Sequence, residues 1–146
     1  HMRALVQRVE QASVTVGTEI VGTIEAGLCV LVGVTHDDGP DQANRLVEKL
    51  AGLRIFDDPQ GVMNLSVVDT QGALLVVSQF TLYGDVQKGK RPSWMAAARP
   101  DQAEPLIEQV VEGLTRRGLE VATGRFRADM KVAILNNGPV TLMIEV

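Results

Sequence analysis

A chain of 146 residues with a formal net charge of −4 at pH 7, 45% hydrophobic and 22% charged, is the size of one domain and can bury a core without disulfides or a structural metal. One cysteine and two histidines, one of them His1 ahead of Met2, leave no disulfide framework and none of the usual zinc constellations, so neither a metal nor another cofactor is expected. The acidic balance argues against a protein that coats nucleic acid through its phosphates, though not against one that grips only the tip of such a molecule.

No apolar run approaches the roughly 20 residues needed to cross a bilayer, and Arg3-Ala4-Leu5-Val6-Gln7-Arg8 lacks the apolar stretch of a signal peptide. No membrane is expected as a partner, and the cytoplasm is the expected location. His1 reads as a leftover of recombinant expression, and 2–146 as a single domain. From Arg3 to Thr35 the β-branched runs Ala12–Val16, Ile20–Ile24 and Leu28–Val34 predict three strands. Gly17-Thr18 and Glu25-Ala26-Gly27 are the turns between them, and a meander is the simplest topology. Cys29, inside Leu28-Cys29-Val30, reads as core volume rather than as a nucleophile.

The period then changes. Ala43, Leu46, Val47 and Leu50 follow helical spacing after Gly39-Pro40, with Gly52 closing an amphipathic helix. Residues 56–72, with Asp57-Asp58-Pro59 and two glycines, predict a long loop with little regular structure. Ala73 to Tyr83 predicts another strand, and Gly84 to Pro100 an exposed loop carrying Lys88, Lys90 and Arg91. A second amphipathic helix shows Ala103, Leu106, Ile107, Val110, Val111 and Leu114 on one face. Pro105 places its first turn later than Asp101. Val132–Leu135 and Val140–Ile144 predict two strands around a connecting turn at Asn136-Asn137-Gly138-Pro139. The class is α/β in the α+β sense: an antiparallel-rich, barrel-like sheet with two amphipathic helices.

Common catalytic sets are missing. The chain has no Gly-x-Ser-x-Gly elbow, no phosphate-cradling glycine loop and no His-Glu-x-x-His. His36, in Thr35-His36-Asp37-Asp38, is the one imidazole within the chain that a hydroxyl nucleophile could use, and its position suits a solvated helix entry equally well. Two segments stand apart. Val76-Val77-Ser78-Gln79-Phe80-Thr81-Leu82 sets polar groups into a buried-looking strand, where they must find partners or line a cavity. Asn136-Asn137-Gly138-Pro139-Val140-Thr141, taken alone, is a turn.

Taken together, Ser-Gln-Phe-Thr-Leu at 78–82 and Asn-Asn-Gly-Pro-Val-Thr at 136–141 resemble the two signature motifs of the D-aminoacyl-tRNA deacylases. The resemblance extends to Met2–Val9, Met63–Ser66, Arg91-Pro92-Ser93 and Thr123–Met130, and so runs nearly end to end. It implies an enzyme that hydrolyses the ester between a D-amino acid and the 3′-terminal adenosine of tRNA, and some glycyl-tRNA as well, as a step of translation quality control. It implies a homodimer in which Gly138 and Pro139, joined by a cis peptide, enter the partner's pocket and reject L-aminoacyl groups by exclusion. Ser78, Gln79 and Thr81 are the implied catalytic residues. Phe80 is implied at the adenine, Phe126 and Met130 in the pocket lining, and Arg8 behind the Gly-Pro tip. Lys88, Lys90 and Arg91 have two readings, contacts to acceptor-stem phosphates or a merely solvated loop. Thr81 has two readings, a covalent nucleophile or a positioning group beside attack promoted by the tRNA 2′-OH, and the lack of a base favours the second. A nucleic-acid-binding module without catalysis is the rival within the fold, and an oligomerising β-scaffold with no site is the rival outside it.

Overall fold

The computed structural model describes residues 1–146. Its elements are β1 (Arg3–Val16), β2 (Glu19–Ile24), β3 (Gly27–Gly33), α1 (Pro40–Gly52), β4 (Phe56–Asp57), β5 (Met63–Leu65), α2 (Val67–Thr70), β6 (Ala73–Ser78), α3 (Pro100–Arg116), β7 (Glu120–Thr123) and β8 (Lys131–Glu145).

Gly17, at φ 61°, lets β1 reverse into β2 with Val16 opposite Glu19. β3 then lies along the same edge of β1, from Val9 opposite Gly27 to Arg3 opposite Gly33. Ala12 faces Ile24 in the same register, so β2 and β3 are two lengths of one antiparallel arm. The predicted meander is therefore corrected to a single long hairpin, interrupted but not reversed at Glu25-Ala26. The physical reason is that a tight reversal needs left-handed backbone at its centre, and neither Glu25 nor Ala26 adopts it.

The interruption changes which face is buried. Ala4 and Val6 share one face with Leu28, Val30 and Val32, whereas Val9, Ala12 and Val14 share the other with Ile24 and Cys29. The first face packs under the helices. The second, joined by Leu75 and Val77, fills the inside of the rolled sheet, where burial pushes the Cys29 thiol up to about 11 and keeps it protonated at neutral pH.

β6 runs parallel to β3, and β7 parallel to β6, so each pair needs a crossover. α1 lies within the first crossover and α3 within the second. Both helices lie on one face, burying Leu46 and Leu50 against Leu106, Ile107, Val110 and Leu114, each worth roughly 1.5–3 kcal/mol when fully removed from water. β7 comes round to β2, and the barrel is nearly closed.

Two further expectations need correction. α3 begins at Pro100, ahead of the predicted start, because proline fits the first helical position and because tertiary bonds hold that turn. Gln102 Nε2 donates to the carbonyls of His36 (2.8 Å) and Asp38 (3.2 Å), and Ala98 N–H donates to Val34 (2.9 Å). Pro105 removes only the bond its own nitrogen would have given. Residues 56–72 are not an irregular loop: β4 and β5 pair as a hairpin, and α2 adds one turn. Asp58 Oδ1 accepts from Gln60 N–H (2.9 Å) and Val62 N–H (3.0 Å) to form the hairpin tip. Ser66 and Asp69 cap α2 reciprocally, and the Ser66 N–H donated to its carboxylate holds Asp69 below the usual carboxylate range.

Candidate active site

β6 ends at Ser78, five residues short of the predicted end at Tyr83. Gln79 N–H makes the last bond to β3, donating to Val32 (2.8 Å), and Phe80–Tyr83 then wind into a single 3-10 turn. Leu82 N–H closes the turn on Gln79 (3.2 Å) and Gly84 N–H on Thr81 (2.9 Å). The N–H groups of Phe80 and Thr81 open the turn and so have no partner within it. Arg3 clamps the turn from β1. Its Nη1 donates to Leu82 (3.0 Å) and its guanidinium sits 4.4 Å from the centre of the Tyr83 ring. Burial pushes the Tyr83 phenol up to about 12. The polar residues of this segment thus lie where the chain leaves the sheet, not in a buried strand.

Against the turn lies a cavity of about 580 Å³, lined by Ser78, Gln79 and Phe80, by Trp94, and by Phe126 and Met130 from the segment between β7 and β8. The chain has five aromatic side chains, and three of them meet here. Phe80 and Trp94 stand edge to face, with ring centres 5.2 Å apart and planes at 70°. Ser78, Phe126 and Met130 also border a second cavity of about 330 Å³ under α3. Thr81 is exposed and outside the lining; its hydroxyl accepts from Gln79 Nε2. No imidazole or carboxylate touches that hydroxyl, and His36 Nε2 is engaged by the Met95 carbonyl at 2.6 Å.

The second motif departs from its predicted form. Val132–Leu135 and Val140–Ile144 are not two strands joined by a turn but lengths of β8, both antiparallel to β1. Gln7 faces Thr141 and Val9 faces Asn136, so Arg8 alone faces the four residues Asn137–Val140, which bulge out of the ladder. Asn136 and Thr141 clamp the base of the bulge. Asn136 Nδ2 donates to the carbonyls of Arg8 (2.9 Å) and Val140 (3.1 Å), while Thr141 Oγ1 donates to Asn136 Oδ1 (3.1 Å). Gly138 takes φ 119°, and the Gly138–Pro139 peptide is cis. Arg8 is buried behind the tip, its Nε donating to Asn137 (3.3 Å) and its Nη1 to Ile55 (2.7 Å), with Asp57 Oδ1 at 3.6 Å.

Ser78, Gln79, Phe80, Phe126 and Met130 thus share one cavity with Thr81 beside it, whereas Gly138, Pro139 and Arg8 lie elsewhere. Ser78 is level with Val32 and Ala4, four residues along β1 from Arg8, and β1 and β3 stand between β8 and β6. The tip is therefore about 14 Å across and about 13 Å along the sheet from Ser78 of the same chain. Lys88, Lys90 and Arg91 are exposed and unpaired in a loop whose ends meet through two Asp85–Ser93 backbone bonds of 2.8 Å. Four residues carry roles that the sequence did not assign them: Arg3, Trp94, Asn136 and Thr141. Only the last two carried a readable signal, an amide and a hydroxyl bracketing a Gly-Pro turn.

Arg8→Ala is expected to lower unfolding stability by about 2–4 kcal/mol in urea, because it removes two charge-assisted bonds and leaves two carbonyls without a donor. Arg8→Lys, a point charge with no fork, is expected to restore less than half of that.

A family model described as D-Tyr-tRNA(Tyr) deacylase matches residues 5–145. The chain belongs to the D-Tyr-tRNA(Tyr) deacylase family. It is an enzyme of the hydrolase class that this family comprises. D-aminoacyl-tRNA deacylases of Brevibacillus brevis and Thermus aquaticus are each 56% identical over 144 residues, covering 99% of this chain and 99% and 95% of theirs. That of an Exiguobacterium species is 57% identical, covering 99% of this chain and 98% of its own. A solved structure described as a c-Myc DNA unwinding element binding protein superposes with a TM-score of 0.92 at 41% identity, over 99% of this chain and 98% of that one. Another, described as a probable eukaryotic D-amino acid tRNA deacylase, has a TM-score of 0.85 at 18% identity over 99% of both chains, a likeness of fold.

Proposed function

We propose that this chain hydrolyses the ester joining a D-amino acid to the 3′ end of tRNA, releasing the free D-amino acid and tRNA as a proofreading step of translation. The observation that carries this reading is that the two signature segments form complementary half-sites. One chain holds an aromatic cavity next to polar turn residues, and a projecting tip that lies too far away to enter it. A second copy would bring tip to cavity. The outer edge of β8 has no partner strand and exposes Leu135, Leu142 and Met143, which suits burial in a two-fold homodimer.

In the assembled site the terminal adenine lies in the cavity against Phe80, with Phe126 and Met130 as its other walls. The partner's tip aims main-chain carbonyls at the α-ammonium and fills the space an L side chain needs, so handedness is judged by exclusion. A glycyl group, with no side chain to exclude, passes the same filter. Water attacks the ester carbonyl carbon; the oxygen that becomes negative is met by the N–H groups of Phe80 and Thr81, with Gln79 beside them. The bond to the ribose oxygen then breaks, and that oxygen takes a proton. Ser78 and Thr81 act by position, and the vicinal 2′-OH of the substrate assists the water. Lys88, Lys90 and Arg91 contact acceptor-stem phosphates. Such work belongs in the cytoplasm.

Purified protein is expected to release D-tyrosine from D-tyrosyl-tRNA while leaving L-tyrosyl-tRNA intact over the same interval. Equal hydrolysis of both would remove the chiral reading. The DNA-binding name of one structural relative supports a second reading, in which the basic loop holds DNA. The net charge of −4 weighs against it, and a gel shift with duplex DNA beside the hydrolysis assay separates the two.

A further inference from the structure

We infer that Trp94 is the stacking platform for the unpaired nucleotide that precedes the terminal adenosine, so that the site grips the single-stranded 3′ end and not the last nucleoside alone. This rests on the tRNA reading and extends it by one subsite.

Aromatic residues make up only 3% of this chain, and its helix-packed core has no tryptophan. The one tryptophan is spent at the surface. Trp94 is 44% exposed and Phe80 54% exposed, side by side on the cavity wall. The main chain makes room for it: a Cβ at Gly84 would come within 2.5 Å of Trp94 Cζ3, so only glycine there lets the ring lie against the backbone. Trp94 also follows directly on Ser93, one foot of the loop that carries Lys88, Lys90 and Arg91. The Asp85–Ser93 bonds therefore tie three unpaired cations to a half-open indole on the rim of the adenosine cavity.

Cations interleaved with exposed aromatic rings are the chemistry that holds single-stranded nucleic acid: the rings stack bases of any sequence and the charges follow the phosphates. An apolar peptide would have no use for the three cations. The unpaired 3′ end of tRNA has both features, and its last nucleoside is already placed next door.

Because the chain has a single tryptophan, its own fluorescence reports on this subsite. Uncharged tRNA with an intact 3′ end is expected to quench Trp94 emission, and tRNA trimmed of its last three nucleotides is expected to leave it nearly unchanged while still binding in a filter assay. In kinetics, Trp94→Ala is expected to raise KM for D-tyrosyl-tRNA about 10-fold and to affect D-tyrosyl-adenosine much less, with Trp94→Phe restoring most of the loss. Equal losses on both substrates would reduce Trp94 to a prop for Phe80 and overturn the inference. Equal quenching by trimmed tRNA, or concentration-dependent quenching without RNA from a second copy, would overturn it too. If intact tRNA quenches but D-tyrosyl-tRNA is not hydrolysed, the stacking subsite stands and the proposed reaction fails.

Discussion

Co-expression of two inactive variants, Gly138→Val and Ala128→Trp, is expected to recover about a quarter of wild-type deacylase activity, as random pairing in a two-fold dimer dictates. The first variant damages the tip. Gly138 sits at φ 119°, a region closed to β-branched residues, and a Cβ there would stand 2.9 Å from both Arg8 Nη2 and Val140 Cγ2. The second fills the cleft, since Ala128 lines the cavity opposite Phe80 and Trp94 and an indole there occupies the substrate's space. Each homodimer then has two defective sites. A mixed dimer has one site in which an intact cleft receives an intact tip, and half of all dimers are mixed. A mixture that stays inactive, while thermal unfolding shows both chains folded, would mean that the tip is not lent between subunits.

Replacing the terminal adenosine of D-tyrosyl-tRNA by its 2′-deoxy form is expected to slow hydrolysis about 100-fold or more, the usual contribution of a positioned proton-transfer group. The expectation follows from what surrounds Thr81. A hydroxyl nucleophile needs a base, yet its one hydrogen bond comes from an amide donor, Gln79 Nε2, which cannot take its proton. Apart from that of the terminal His1, the one imidazole, that of His36, is held by the Met95 carbonyl. With no protein base in place, the nearest hydroxyl to the ester is the substrate's own. The same assay with Thr81→Ala separates the two mechanisms: a nucleophile's loss abolishes turnover, whereas a positioning group's loss leaves a measurable rate and the same dependence on the 2′-OH. Hydrolysis of the 2′-deoxy substrate at the normal rate would return the chemistry to the protein.

How much of this was legible in the residues varies with the range of the interaction concerned. α1 was readable because Ala43, Leu46, Val47 and Leu50 repeat at the helical period, and the period alone decides which face is buried. α3 was readable in its body but not at its start, which depends on Gln102 reaching the carbonyls of a loop more than 60 residues earlier. Ser66-Val67-Val68-Asp69 was a local signal left unread, and the capped turn it makes replaced a predicted loop. The candidate site divides in the same way. Ser78, Gln79, Phe80, Phe126 and Met130 were named from the motifs, but that Phe126 and Met130 face Phe80 across a cavity depends on β7 and β6 lying side by side.

By itself the sequence determined the strands β1 to β3, the body of β6, the apolar faces of α1 and α3, the buried identity of Cys29, the two signature segments and the family they resemble, because each rests on periodicity, composition or local chemistry over a few residues. Only the tertiary structure decided that the chain does not reverse at Glu25-Ala26, that Asn137–Val140 bulge from one continuous β8, and that Arg8 bonds the carbonyls of Asn137 and Ile55 behind them. The physical reason is register. Which residue faces which across a ladder is set by every pair along it at once, and a single residue's slip sends a side chain to the opposite face, so no local stretch encodes it alone.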